Sequence, residues 1–358
     1  MKMDFQLVKK ISLVILTSVF VVQSYILMLR LFGTDKNEPV EPMVTAASEN
    51  TFRVGISLGT LKEERWIKDR DILMSRIKDL GGDAIVMNAN NDDEDQLKQV
   101  KYLVSEGIDV LIIVPNDLKK ASQAVAYAKS KDVKVISYDR LVLDADIDYY
   151  ISFDNEKVGE EMGRYIKSKL SRGNVLIING AKSDHNTQII KTGYTKTLKS
   201  DGINMIGEYW AENWLTEYAY ETTEKSLIQG KQFEAILAGN DALAGAAIRA
   251  LSEYKLASKI IVVGQDADLS ACQRIVEGTQ SMTVYKPIHQ LAEVTAKVAY
   301  NLAMNLSIQT ENQLRNGRYS VPYIYISPIV VDAKNMDETI IKDGFHLKDE
   351  VYTLKKSN

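Results

Sequence analysis

Polar and charged side chains gather at the ends of the apolar runs in this chain. Arg65 and Trp66 follow FRVGISLG, Asp139 and Arg140 follow VKVISY, and Asp184, His185 and Asn186 follow NVLIING. Trp214 comes after MIGEYW, Asn240 and Asp241 after AILAG, Asp266 and Asp268 after IIVVGQ, and Lys286 closes MTVYK. Carboxylates and amides accept hydrogen bonds from hydroxyls, while arginine and lysine donate charge-assisted ones. Tryptophan offers a flat apolar face to C–H bonds. Together these groups suit a neutral polyol. Each has a plainer reading. Asp184, Asn240 and Asp241 stand where a helix N-cap is expected. Arg65 and Arg140 can pair with neighbouring acids, and Trp66 or Trp214 can be core. The set argues for a site because so many run ends carry such groups at once.

Catalysis is not expected. The three histidines, His185, His289 and His346, are scattered without metal-ligand spacing, and no nucleophile elbow occurs. Carboxylates alternate with arginine and amides, which is an arrangement for recognition. Asn91–Asp95 is acidic but lacks the spacing and glycine of a calcium loop, so it reads as a helix start and no metal is expected. Gly239 and Gly245 are too far apart for a dinucleotide fingerprint, and no cofactor is expected. A formal charge of -4 and a pI near 5.6 argue against nucleic acid. The lone cysteine, Cys272, lies in an amphipathic stretch and reads as a small core residue.

The elements that must position these groups are legible. FRVGISLG, AIVMNAN, DVLIIVP, VKVISYDR and YYISFD are strand-like; the pattern restarts with NVLIING, MIGEYW, AILAGN, IIVVGQD and MTVYK. Amphipathic stretches separate most of them. Near-continuous apolar strands flanked by helices imply parallel sheets covered on both faces. Two successive sets imply two similar α/β lobes, each a doubly wound parallel sheet. Ligands of such sheets bind beyond the carboxyl ends of the strands, where the polar groups lie.

At the N-terminus, residues 11–29 (ISLVILTSVFVVQSYILML) carry no charge and are flanked by Lys9, Lys10 and Arg30. The run is longer than a signal-peptide core and no small-residue cleavage site follows it closely. It nearly spans a hydrocarbon layer and predicts a single-pass transmembrane helix within residues 1–32, the rest of the chain being extracytoplasmic. No cysteine is near enough for a lipid anchor. Residues 33–51, with Pro39 and Pro42, read as a linker.

ERWIKDRD (64–71), SYDRLVLDADIDYYISFDNEKVG (137–159), GNDALAG (239–245), GQDADLSACQRIVEGTQ (264–280) and MTVYKPI (282–288) closely resemble the periplasmic xylose-binding proteins, members of the type I periplasmic binding protein family. The resemblance runs from about Phe52 to Tyr352. It implies D-xylose as ligand, with Arg65, Asp139, Arg140, Asp184, Asn186, Asn240, Asp266 and Lys286 as a hydrogen-bonding shell and Trp214 and Trp66 as stacking aromatics. His185 departs from the common pattern. It also implies lobes of 52–154 plus 287–327 and 155–284 plus 330–352, joined by a three-crossing hinge near Asp154, Tyr285 and Ser327. Anchored relatives of this kind imply a sugar sensor that closes on its ligand and modulates a membrane histidine kinase controlling xylose uptake. The alternative is the substrate-binding component of a xylose ABC transporter, with a permease as partner. Sugar-responsive repressors share the fold, but carry a DNA-binding helix pair where this chain has its apolar segment.

Overall fold

The structure, a computed structural model, describes residues 52–199, 202–306, 308 and 310–353. The apolar segment 11–29 and the linker 33–51 lie outside them. Among the described residues no helix is long and apolar enough to cross a membrane.

Strands and helices alternate: β1 (Arg53–Leu58), α1 (Glu64–Asp79), β2 (Asp83–Asn88), α2 (Asp93–Ser105), β3 (Val110–Val114), α3 (Ala121–Lys129), β4 (Lys134–Tyr138) and β5 (Tyr149–Phe153). The second series is α4 (Asn155–Lys169), β6 (Gly173–Asn179), α5 (His185–Leu198), β7 (Ile203–Trp210), α6 (Thr216–Ile228), β8 (Ala235–Ala238), α7 (Asp241–Glu253), β9 (Ile261–Gln265), α8 (Leu269–Glu277) and β10 (Met282–Tyr285). Then come α9 (Ile288–Ala303), β11 (Gln313–Asn316), β12 (Tyr319–Ile326), β13 (Ile329–Val331) and α10 (Lys348–Val351). The ten apolar runs are the first ten strands. The acidic run opens α2 as read: Asp92 caps it, accepting from Asp95 N at 2.9 Å.

Two sheets result, ordered β11-β12-β5-β4-β3-β1-β2 and β13-β10-β9-β8-β6-β7. They differ from the all-parallel expectation at one edge each. β11 pairs antiparallel with β12, and β13 antiparallel with β10. The remaining pairings are parallel. The continuous apolar runs are explained by burial on both faces, since successive strand residues point to opposite sides. In β3, Val110, Ile112 and Val114 enter one core while Leu111 and Ile113 enter the other. In β6, Val175 and Ile177 face one core while Leu176 and Ile178 face the other.

The described residues form one unit. The chain passes between the sheets at Asp154, at Lys286–Pro287 and at Ser327–Pro328. After the second passage α9 packs back on α1, β3, β4 and β5. Cys272 is buried in the core, and burial raises its thiol pKa.

Candidate functional site

The carboxyl ends of both sets of parallel strands meet at a narrow cleft, partly open to solvent. All ten residues that the resemblance assigns to the ligand line it: Arg65, Trp66, Asp139, Arg140, Asp184, Asn186, Trp214, Asn240, Asp266 and Lys286. Glu63, Ile190 and Gln265 line it too.

Arg65, on the first turn of α1, is the centre of the charge network. Its Nε and Nη2 donate to Asp69 Oδ2 at 3.1 and 3.0 Å. Nη2 lies 3.3 Å from Asp139, and Nη1 3.7 Å from Asp266. Burial works against the guanidinium charge, but Asp139, Asp69 and Asp266 together outweigh it and raise the pKa. Asp69 is itself buried, which raises its carboxyl pKa; Arg65 and a hydrogen bond from the Tyr138 hydroxyl pull it back. Asp69 therefore fixes the guanidinium from behind the cavity.

Asp139 stands at φ 59, a conformation L-residues rarely adopt. Three side chains hold its carbonyl oxygen: Tyr150 Oη at 3.0 Å, Ser152 Oγ at 2.8 Å and Asn186 Nδ2 at 3.0 Å. Asn186 belongs to α5, beside the other sheet, so this hydrogen bond spans the cleft. Arg140 Nε and Asp184 Oδ2, 3.3 Å apart, form a second cross-cleft link. Trp214 (φ 57) and Asp266 (φ 96) are also in the left-handed region. Such residues cost of order ~1–3 kcal/mol each and persist where their surroundings over-determine them. Their concentration on the cavity wall marks it as a built site.

The plainer readings are also partly true. Asp184 caps α5, accepting from Asn186 N at 2.9 Å, and Asn240 caps α7, accepting from Leu243 N at 2.9 Å. Each uses one oxygen for the helix, leaving Asp184 Oδ2 for Arg140 and the Asn240 amide nitrogen without a cap role. Asp241 does not line the cavity; its buried carboxylate accepts from Thr283 Oγ1 and Gln280 Nε2, both at 2.7 Å. His185 does not line it either. Trp66 does, with the Arg65 guanidinium 4.4 Å and the Arg140 guanidinium 5.3 Å from its ring centroid. Trp214 lies over Gly180, where an added Cβ would fall 2.1 Å from Cη2; only glycine lets the indole come so close.

Lys286 Nζ is 3.0 Å from Asp266 Oδ1. Four lining residues keep buried acceptor oxygens without a hydrogen-bond partner, Glu63 Oε2, Asp139 Oδ1, Gln265 Oε1 and Asp266 Oδ1, the last ion-paired with Lys286. A site that leaves buried acceptors open is suited to a ligand rich in donors. The lining carries four carboxylates (Glu63, Asp139, Asp184, Asp266) against three cations (Arg65, Arg140, Lys286), so it has no surplus positive charge for an anion. Among the described residues no group of three or more His, Cys, Asp or Glu is placed to hold a metal ion.

A family model described as "Periplasmic binding protein domain" matches residues 54–306. The chain belongs to the periplasmic binding protein family. Among curated members it is 41% identical over 313 residues to the D-xylose-binding periplasmic protein of Haemophilus influenzae, covering 86% of this chain and 94% of that protein. It is 40% identical to the D-xylose-binding periplasmic protein of Escherichia coli, with coverage of 86% and 94%. Among solved structures of the family, the carbohydrate transporter solute-binding protein of Chloroflexus aurantiacus in complex with D-glucose superposes with a TM-score of 0.78 at 28% identity, covering 84% of this chain and 98% of that one.

Three of this family member's lining residues were not singled out from its sequence. Gln265 is the last residue of β9, next to Asp266, and was counted with the apolar run instead of its end. Glu63 directly precedes α1 and was passed over for the basic and aromatic residues after it. Ile190 sits one helical turn beyond Asn186 and carries no polar signal.

Proposed function

We propose that the protein is the D-xylose-binding component of an ABC sugar importer, held at the outer face of the membrane by its N-terminal apolar segment. The observation that carries the reading is the cavity wall: fixed donors and open buried acceptors contributed from both sheets, without net positive charge. That wall favours a small neutral polyol whose hydroxyls both donate and accept. The choice of xylose draws on the two relatives named for it. In the proposed assignment Arg65, Asp139, Arg140, Asp184, Asn186, Asn240, Asp266 and Lys286 hydrogen-bond the sugar. Trp214 and Trp66 cover its apolar faces, Trp66 by the face its guanidinium neighbours leave. Glu63 and Gln265 join the shell.

Calorimetry on the detergent-solubilised full chain tests this. D-Xylose should bind one to one, more tightly than D-ribose or D-glucose. Preference for either of those sugars overturns the ligand assignment.

A sensor role is the second reading, favoured by the uncharged run 11–29 with Cys272 as the sole cysteine of the chain, far from any lipid-anchor position. Sugar would close the cleft and change affinity for a histidine kinase ectodomain. Moving an open/closed ratio from 1:99 to 99:1 requires about 5.5 kcal/mol of preference for the closed form. Hydrogen bonds from both lobes to one sugar are a source for it. Sugar-dependent co-purification with a kinase ectodomain, or instead with a permease, separates the two readings.

A further inference from the structure

We infer that His346, which lies outside the cavity, is a positioning residue for Asp266, and that its neutral form holds Asp266 ready for ligand. The inference rests on the proposed role of Asp266 as a ligand contact.

Asp266 and Ala267 occupy consecutive left-handed conformations, φ 96 and φ 55, although neither is glycine. Such a turn keeps its shape only if its peptide groups are held. Both sides of Ala267 are. Its N–H donates to Thr283 Oγ1 at 3.1 Å, and its carbonyl oxygen meets His346 Nε2 at 2.8 Å. One residue on, Asp268 N–H donates to Asp241 Oδ2 at 3.2 Å, the oxygen that also receives the Thr283 hydroxyl.

The other ring nitrogen of His346 fixes its tautomer. Nδ1 lies 3.0 Å from Lys68 Nζ. A lysine ammonium only donates, so Nδ1 carries the lone pair and Nε2 the proton that goes to Ala267. Lys68 lies on α1, the helix that carries Arg65 and Trp66. Its ammonium also contacts Glu64 at 3.0 Å and the Phe345 carbonyl at 3.1 Å, and lies 4.3 Å from the Phe345 ring centroid. His346 thus ties the helix bearing one wall of the cleft to the turn bearing the other, by a path that avoids the ligand cavity.

Protonating Nδ1 would remove the acceptor that Lys68 uses and set two cations at that distance. The charged groups acting on the ring besides Lys68 are Glu64 on α1 and Glu350 on α10; Asp343 accepts from the hydroxyl of Tyr285, whose ring packs on Phe345. His346 is 5% exposed. Burial is the largest influence on it and lowers its pKa, with Lys68 adding to that against the pull of the Ala267 carbonyl. The neutral form therefore prevails at neutral pH and is lost only in acid.

The test is calorimetry with D-xylose on the full chain between about pH 5 and pH 8. Wild-type Kd should stay flat above about pH 6.5 and rise in acid, by up to about tenfold per pH unit once His346 is charged. In His346→Gln the amide can still donate to Ala267 and accept from Lys68 but cannot titrate. Its Kd should stay within about threefold of wild type at neutral pH, and the acid rise should vanish. His346→Leu should bind about tenfold or more weakly at every pH. His185, whose pKa burial also lowers, is the control: His185→Gln should keep the acid rise. A flat wild-type profile, or an acid rise that survives in His346→Gln, overturns the inference. If wild type binds no sugar at all, the proposed function fails instead. The clamp is then decided by a crystal structure of His346→Gln and His346→Leu: an Asp266–Ala267 turn unchanged in His346→Leu overturns it.

Discussion

Arg140 Nε stands 3.3 Å from Asp184 Oδ2, joining the end of β4 in one sheet to the start of α5 beside the other. Asp184→Asn isolates this link, because asparagine caps a helix about as well as aspartate. Thermal stability should change little. Affinity for D-xylose should fall, since removing one partner of a buried charge pair costs about 2–5 kcal/mol. Equal affinity in mutant and wild type would remove the pair from the closing mechanism.

Gly180→Ala should disturb Trp214 without unfolding the lobe. The new Cβ would fall 2.1 Å from Trp214 Cη2, so the indole must move off the wall. Tryptophan emission should shift and xylose binding weaken by about tenfold or more, while far-ultraviolet circular dichroism stays as in wild type. Unaltered emission and binding would show that Trp214 does not need this seat.

Asp268→Asn should stabilise the protein increasingly as pH rises from about 4 to about 8. Burial, reinforced by Asp241 and Asp266, raises the Asp268 carboxyl pKa. A raised carboxyl pKa contributes stability that is present below the unfolded value and is lost as pH rises through the folded one. Its side chain makes no capping hydrogen bond to lose. The expected gain is roughly 1–3 kcal/mol at about pH 8, shrinking to nothing near about pH 4. Urea unfolding at both pH values measures it, and a gain that does not vary with pH contradicts the account.

Anionic analogues should be rejected. Four carboxylates face three cations on the wall, and like-charge contacts across an interface cost several kcal/mol. D-Xylonate should bind about a hundredfold or more weakly than D-xylose in the same calorimetric titration. Comparable affinity would mean that some carboxylates of the wall are protonated or turned away.

The parallel strands and their polar ends were legible because each rule is local. An apolar run such as DVLIIVP has to be covered on both faces, and the residue after it must emerge at the sheet's edge. The last three strands obey no such rule. QLRN in β11 is a polar edge, and IVV in β13 is three residues long. Pro322 argues against a strand. β12 accommodates it by pairing antiparallel with β11 up to Pro322 and parallel with β5 from Tyr323 onward. The site's listening posts behind the wall were equally hidden: nothing local to His346 or Lys68 reveals that they meet, because their contact depends on the whole fold.

The pairing of β12 with β5 has a consequence for how the protein is made. Tyr150 finds its neighbour Tyr323 only after β6–β10 of the second sheet have been synthesised. Until then the growing chain exposes the open edge of β5, with Tyr149, Tyr150 and Phe153 beside it, and such edges recruit other chains. The first lobe thus cannot finish folding until most of the second has been made. The cell has to protect a nascent half-sheet until β12 is made, so a truncation before β12 should aggregate instead of yielding a smaller working lobe.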